Sequence, residues 1–224
     1  MTLPLAIRRQ AHLAVALLAS GCARRATPCV SPETCGPERT CEVGRCARIG
    51  AELVPADAQR IVIAPADIAV VSSRGDARGQ LPPEISLGGS TSGSVVVLLR
   101  FDAPWGNRAR IAAAFVTLEP APGAPPPSSP VTVSIARVLD PWSSDDVTWG
   151  RLPRLMPPET RALATAVSPR ALRIDVTSIV QRWVAGRADD HGIALSCGAE
   201  DGTGVSYASG ASGARGPRLD VYVR

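Results

Sequence analysis

Short apolar runs, separated by proline, glycine and polar residues, set the rhythm of most of this chain. Runs rich in Val, Ile and Leu fall at 60–63, 67–71, 94–101, 110–118, 131–138, 172–176, 192–197, 205–209 and 219–223. Runs of this length bounded by turn residues suit strands better than helices. Several alternate, as in Val131, Val133 and Ile135 with Thr132 and Ser134 between them, or Leu219, Val221 and Val223 with Asp220 and Tyr222 between. Successive side chains of a strand point to opposite faces, so such strands bury one face. Many strands, frequent breaks and almost no helical period predict an all-β protein, a jelly-roll-like antiparallel β-sandwich. Six prolines crowd residues 120–130, a composition open only to a loop or extended connector.

One segment has a different period. Val176, Ile179, Val180, Trp183 and Val184 recur at three- and four-residue steps, which places them on one face of a short helix. Asp175 or Thr177 suits its start and Gly186 its stop. Trp183 is expected in the core as the helix's anchor.

The N-terminus follows neither pattern. Arg8 and Arg9, with no acid nearby, precede an apolar stretch at 11–19 broken only by His12. That layout is a signal peptide, and the stretch is about half the ~20 residues a membrane-spanning helix needs. It ends in Leu18-Ala19-Ser20-Gly21-Cys22. Small residues before a cysteine resemble the lipobox of bacterial lipoproteins, although Ala19 stands where that motif usually has Leu. The resemblance implies a lipid on Cys22, cleavage before it, and a mature protein anchored outside the cytoplasm by its acyl chains. Ala23 rather than Asp after the cysteine favours the outer over the inner membrane. The expected division is therefore a signal peptide at 1–21, a cysteine-rich stalk or mini-module at 22–49, and a sandwich domain at 50–224.

Export changes the reading of the cysteines. Cys29, Cys35, Cys41 and Cys46 lie among prolines and glycines, and an oxidising compartment makes disulfides the first expectation. Four cysteines allow three connectivities, and spacing does not choose among them; we favour the crossed pair Cys29 with Cys41 and Cys35 with Cys46. Zinc fits less well, since its ligands usually come in pairs two to four residues apart and no His lies near. Cys197 is left over and is expected to be a buried, inert thiol.

Charge narrows the partners. The chain holds 24 basic and 20 acidic residues, and removing 1–21 with its two arginines leaves near neutrality. No Arg cluster interleaves with aromatics, so nucleic acid is not an expected partner. Every basic residue is Arg; none is Lys.

Catalytic constellations are also missing. A glycosidase needs two carboxylates across a cleft, whereas Asp145-Asp146, Asp189-Asp190 and Glu200-Asp201 sit in turn-like settings. Those pairs could offer oxygens to a structural calcium ion, but they lack the regular spacing of a calcium loop, and no cofactor is expected. No phosphate-binding glycine loop, nucleophile elbow or paired-His helix occurs. Sugar rings can stack on exposed aromatics. Trp105 in Ala-Pro-Trp-Gly-Asn and Trp142 in Asp-Pro-Trp-Ser-Ser are the candidate ligand-binding residues, whereas Trp149, alternating with Val147, is expected to be buried.

The helical segment also carries a family resemblance. The string Asp175-Val176-Thr177-Ser178-Ile179-Val180-Gln181-Arg182-Trp183, then Gly186, then His191-Gly192-Ile193-Ala194-Leu195, resembles the second half of DNRLRE-type surface domains. Leu99-Arg100-Phe101-Asp102, Ile111 and Ala113, Trp142 with Asp146-Val147-Thr148-Trp149, and Gly216-Pro217-Arg218-Leu219 leading to Val221-Tyr222 follow in that family's order. The Asn-Tyr-Gly often found before 85–88 is absent, and Ser209-Gly210 stands for the usual Ser-Glu. The resemblance spans about 60–224 and implies a β-sandwich related to carbohydrate-binding modules, without catalytic residues. The expected function is a non-catalytic surface lipoprotein that binds polysaccharide or envelope matrix. A structural or protein-interaction role in an envelope assembly comes second, and a polysaccharide-acting enzyme last.

Overall fold

The depth of each apolar run is set by where its strand lies in two stacked sheets. The computed structural model describes residues 29, 32–35, 39–42, 45–48, 54, 57–75, 81–88, 93–102, 110–125, 127, 131–164, 171–197, 204–211 and 215–224. Its strands are β1 (Arg39–Glu42), β2 (Arg45–Arg48), β3 (Gln59–Ile63), β4 (Asp67–Ser72), β5 (Glu84–Leu87), β6 (Val95–Arg100) and β7 (Ile111–Leu118). They continue with β8 (Val131–Arg137), β9 (Thr160–Ala164), β10 (Leu172–Asp175), β11 (Ile193–Cys197), β12 (Val205–Ala208) and β13 (Arg218–Val223). One α-helix, α1 (Thr177–Val184), separates β10 from β11.

One sheet has the order β10-β7-β13-β3 and the other β4-β6-β11-β8-β9, with β5 and β12 forming a separate pair. The pairings are antiparallel. Set β4 and the β5/β12 pair aside, and the path through β3, β6, β7, β8, β9, β10, β11 and β13 changes sheet at every step except β8 to β9. The resulting orders, β3-β13-β7-β10 against β6-β11-β8-β9, are those of a jelly roll. The expected all-β sandwich is therefore the observed fold, with β4 as an additional edge strand.

The core fills the space between the sheets. Val97, Leu99, Val133, Ile135, Ile193 and Leu195 from one sheet meet Ala114, Val116, Ile174, Leu219 and Val221 from the other. The unbroken apolar run of β6 has a second cause. Val96 and Leu98 point to the opposite face and pack with Ala69, Val71, Ala194, Val138 and Val147. Residues 138–155 lie over that outer face, so β6 is covered on both sides and has no polar face to alternate.

The helix forms where its period places it. Asp175 Oδ1 accepts the Thr177 N–H at 2.9 Å, taking a donor that would be orphaned in the first turn. Thr177 Oγ1 accepts the Ala114 N–H at 2.9 Å and so pins the helix to β7. At the far end Gly186 adopts φ 63°. Its N–H donates to Trp183 O, and that of Arg187 to Arg182 O, the Schellman arrangement that ends a helix. Ile179, Val180 and Trp183 are buried in the core as expected.

The N-terminal segment is a disulfide-closed hairpin. β1 pairs with β2 and a 3-10 turn, Pro32–Cys35, precedes them. Cys35 and Cys46 are bonded, as the crossed pairing requires. Cys29 is disulfide-bonded too, while the side chain of Cys41 lies outside the described residues. The sulfurs of Cys29, Cys35 and Cys46 form the only group close enough to share a metal among the described residues. Disulfide sulfurs are not thiolates, so the hairpin is stapled covalently rather than by zinc. The 3-10 turn touches β9 at the edge of the larger sheet.

Candidate functional site

The surface of the sandwich is organised by arginine–carboxylate pairs. Asp220 projects from β13 onto the outer face of the smaller sheet with only 4% of its side chain exposed. Burying a carboxylate is costly unless donors surround it. Arg60 Nη2 donates to Asp220 Oδ1 at 2.8 Å, Thr117 Oγ1 donates to Oδ2 at 2.6 Å, and Arg218 Nε stands 3.5 Å from Oδ2. Arg218 also reaches Glu119 at 2.7 Å. Beside this network the Arg173 guanidinium lies 3.6 Å from the centre of the Phe115 ring, and Tyr222 meets Phe115 edge to face. Val54 and Ala58 pack on the same cluster, so this face is closed by its own arginine and by the chain leading into β3.

A second network lies where α1 meets the larger sheet. Glu159 accepts from Arg137 through one oxygen and from Arg182 through the other. Burial, and then repulsion from Arg137, lowers the Arg182 guanidinium below its usual range. Asp67 accepts the Ser144 N–H at 3.1 Å and ties the 138–155 excursion to β4. Asp140 takes two guanidinium nitrogens and the backbone N–H of Arg154. Those hydrogen bonds hold its carboxyl down at about 2.

These carboxylates therefore act as connectors. Asp145 and Asp146 are exposed, and Asp190 turns back to accept the Gly192 N–H. Among the described residues no acids cluster closely enough to hold a metal, so Asp145-Asp146 and Asp189-Asp190 assemble no calcium cage there; Glu200 and Asp201 lie outside the described residues.

Two of the tryptophans depart from the places expected of them. Trp142 does not stand open in a turn: it is half-buried against the outer-face cluster, and its Nε1–H donates to His191 O at 2.8 Å. Trp149 is not buried with Val147. It is 37% exposed while Val147 is 7%, because Arg151 N–H donates to Thr148 O at 2.9 Å. That bond closes a turn with Trp149 and Gly150 at its centre, and a turn does not continue the alternation of a strand. Trp105 and the lipidation candidate Cys22 lie outside the described residues.

Cys197 carries a thiol and is half-buried at the end of β11 rather than fully enclosed. It contributes to raising the nearby Tyr207 hydroxyl, after the larger effect of that ring's burial. His191 is half-buried, and its backbone oxygen, not its ring, receives Trp142. No family model matches this chain, and no curated protein sequence matches it.

Proposed function

We propose that this chain is a lipid-anchored envelope protein whose jelly roll is a non-catalytic binding module for polysaccharide or envelope matrix. The observation that carries the reading is the disulfide-closed hairpin between the lipobox-like Cys22 and the sandwich. Structural disulfides belong to oxidising compartments, so the hairpin supports export, and export supports Cys22 as the anchor. The carboxylates Asp220, Glu159 and Asp140 support a non-catalytic body, since each is engaged by arginines that fix one element to another. The resemblance to DNRLRE-type domains points the same way.

The anchor has a direct test. The chain contains no Lys, so its one amine is the α-amine. Labelling with palmitate analogues should mark the wild type and not Cys22→Ser, and mass analysis should find a mature chain beginning at residue 22. An unlabelled wild type, or cleavage elsewhere, overturns the anchor. Pull-down of the full chain on polysaccharides and envelope fractions tests the binding module, and turnover of any of them abolished by a single acid substitution overturns its non-catalytic character.

One observation favours a second reading, a structural role in an envelope assembly. Strand β3 is the edge of the smaller sheet, and Ile61 and Val62 on it are 41% and 55% exposed. Uncovered apolar edges offer a template for a partner strand. A photo-crosslinker at Val62 that captures a protein in intact cells supports this role, and one that captures none in cells where the protein is functional counts against it.

A further inference from the structure

Three sulfurs of the N-terminal hairpin crowd together. The Sγ atoms of Cys29, Cys35 and Cys46 all lie within 4.8 Å of one another, although each already belongs to a disulfide. Cys35 is bonded to Cys46, and Cys29 belongs to another bond. The fourth cysteine of the segment, Cys41, stands opposite Cys46 in the β1/β2 register. We propose that the hairpin is a thiol-triggered disulfide switch, in which Cys35 is the point of entry and Cys46 passes the bond on to Cys29. The proposal is independent of what the jelly roll binds.

A disulfide that only staples works by closing a loop, and two of them set apart along the hairpin would do so equally well. Exchange makes a stricter demand. It proceeds by attack of a thiolate on a disulfide sulfur, so the second bond must lie within reach of the sulfur that the first one releases. The three clustered sulfurs meet that demand. Access sets the direction. Cys29 and Cys46 are 9% and 8% exposed, whereas Cys35 is half-buried and follows the exposed Thr34. An incoming thiol therefore meets Cys35 first.

The steps balance without net oxidation. A thiolate, from a small thiol or a thiol–disulfide exchange protein, attacks Cys35 Sγ; a mixed disulfide forms, the Cys35–Cys46 bond breaks, and its electron pair leaves on Cys46 Sγ. Burial disfavours a charged sulfur, so the Cys46 thiolate rebonds rather than persists. It attacks Cys29 Sγ, forms Cys29–Cys46 and expels the former partner of Cys29 as a thiolate. With the expected partner, Cys41, the expelled thiolate attacks Cys35, forms Cys35–Cys41 and returns the incoming thiol. The crossed pairing has become a nested one, and the thiol has acted as a catalyst. Cys35–Cys46 ties the turn Pro32–Cys35 to β2, and that turn touches β9. Moving the bond to Cys29 releases the turn from β2 and changes how the hairpin seats on the edge of the larger sheet.

The test uses the full chain in detergent, carrying Cys197→Ser so that its thiol takes no part. Cleavage after Arg25, Glu33, Glu38, Arg39, Glu42, Arg45 and Arg48 puts each of the four cysteines on its own peptide, so a non-reducing map reads the pairing directly. Folded protein given substoichiometric glutathione and quenched with acid should lose the 35–46 bridge and gain a 29–46 bridge. The first glutathione adduct should be on Cys35, and the tryptophan fluorescence of the body should not change. The same treatment in urea, where every connectivity can form, is the positive control for the map. In the double variant Cys29→Ser with Cys41→Ser, exchange should stop at the Cys35 adduct, with Cys46 open to alkylation. A map of the folded protein in which no 29–46 bridge forms overturns the switch. A first adduct on Cys46 or Cys29 overturns the entry at Cys35.

Discussion

Replacing the buried Gly192 by alanine should damage this fold more than the same change at a glycine in an open turn. Gly192 enters β11 with φ 91°, and a Cβ there would lie 2.2 Å from Leu99 O and 3.0 Å from Arg100 Cα on the neighbouring strand β6. Three costs combine. A positive φ costs a non-glycine residue about 1–2 kcal/mol. Relieving contact with backbone, which cannot rotate away as a side chain can, is overpacking of the kind that costs about 1–3 kcal/mol. Parting β6 from β11 also disturbs the Val138 N–H to Gly192 O bond of 3.0 Å, for about 1 kcal/mol more. The total is about 3–6 kcal/mol, a large share of the roughly 5–15 kcal/mol that holds a domain folded. For a body of this size the melting temperature should fall by about 6–24 °C. Gly186→Ala is the control: φ is 63° but nothing stands within 4 Å of the added carbon, so only about 1–2 kcal/mol is expected. Urea unfolding followed by tryptophan fluorescence compares the two. If Gly192→Ala came within about 1 kcal/mol of Gly186→Ala, the argument from steric contact would be wrong.

Other expectations follow from the networks. Asp220→Ala should cost about 3 kcal/mol by leaving Arg60, Arg218 and Thr117 without their shared acceptor; combined with Thr117→Ala the loss should be less than additive, measured by a double-mutant cycle. Asp140, held at about 2 against an ordinary 3.8, gives stability that is present above the unfolded value and lost as pH falls through the folded one. The stability difference between wild type and Asp140→Asn should therefore be constant above about pH 5 and vanish towards pH 2 in acid titrations. Non-reducing peptide mapping should recover a fragment joining residues 35 and 46, and Cys46→Ser should loosen the hairpin by about 3 kcal/mol, read as faster proteolysis there, with the cooperative transition of the body still in place.

How much of this was legible beforehand depended on whether a residue's surroundings were local. The nine apolar runs became β3, β4, β6, β7, β8, β10, β11, β12 and β13, because alternation and turn residues are carried within a few positions. The helix was legible for the same reason, its 3.6-residue period and Gly186 stop being local. Strand β9, Thr-Arg-Ala-Leu-Ala, carries no strand signal of its own; its conformation comes from pairing with β8, a tertiary override of residues that favour helix. Strand β5 is four residues after Pro82-Pro83 and exists through β12, some 120 positions away. The tryptophans failed for a related reason. Trp142 has the neighbours of a turn, but its burial is decided by His191 O, 49 residues on, and Trp149 has the spacing of a strand inside a turn that reverses it. A site made of such contacts could be outlined from composition but not placed.

The pairing of the first and last strands of the body has a mechanical side. Gln59 lies opposite Val223 in the β3/β13 register, and Arg224 grips Asp57 at 2.7 Å, so the two ends of the sandwich leave from one corner. A load applied between that corner's two strand ends would act across the ladder and open it one rung at a time, as a zip opens. The same load along the strands would have to break the rungs together. A domain tethered through residue 59 therefore peels from β3 first, and the strand it uncovers is β13, which carries Asp220 and its arginine partners.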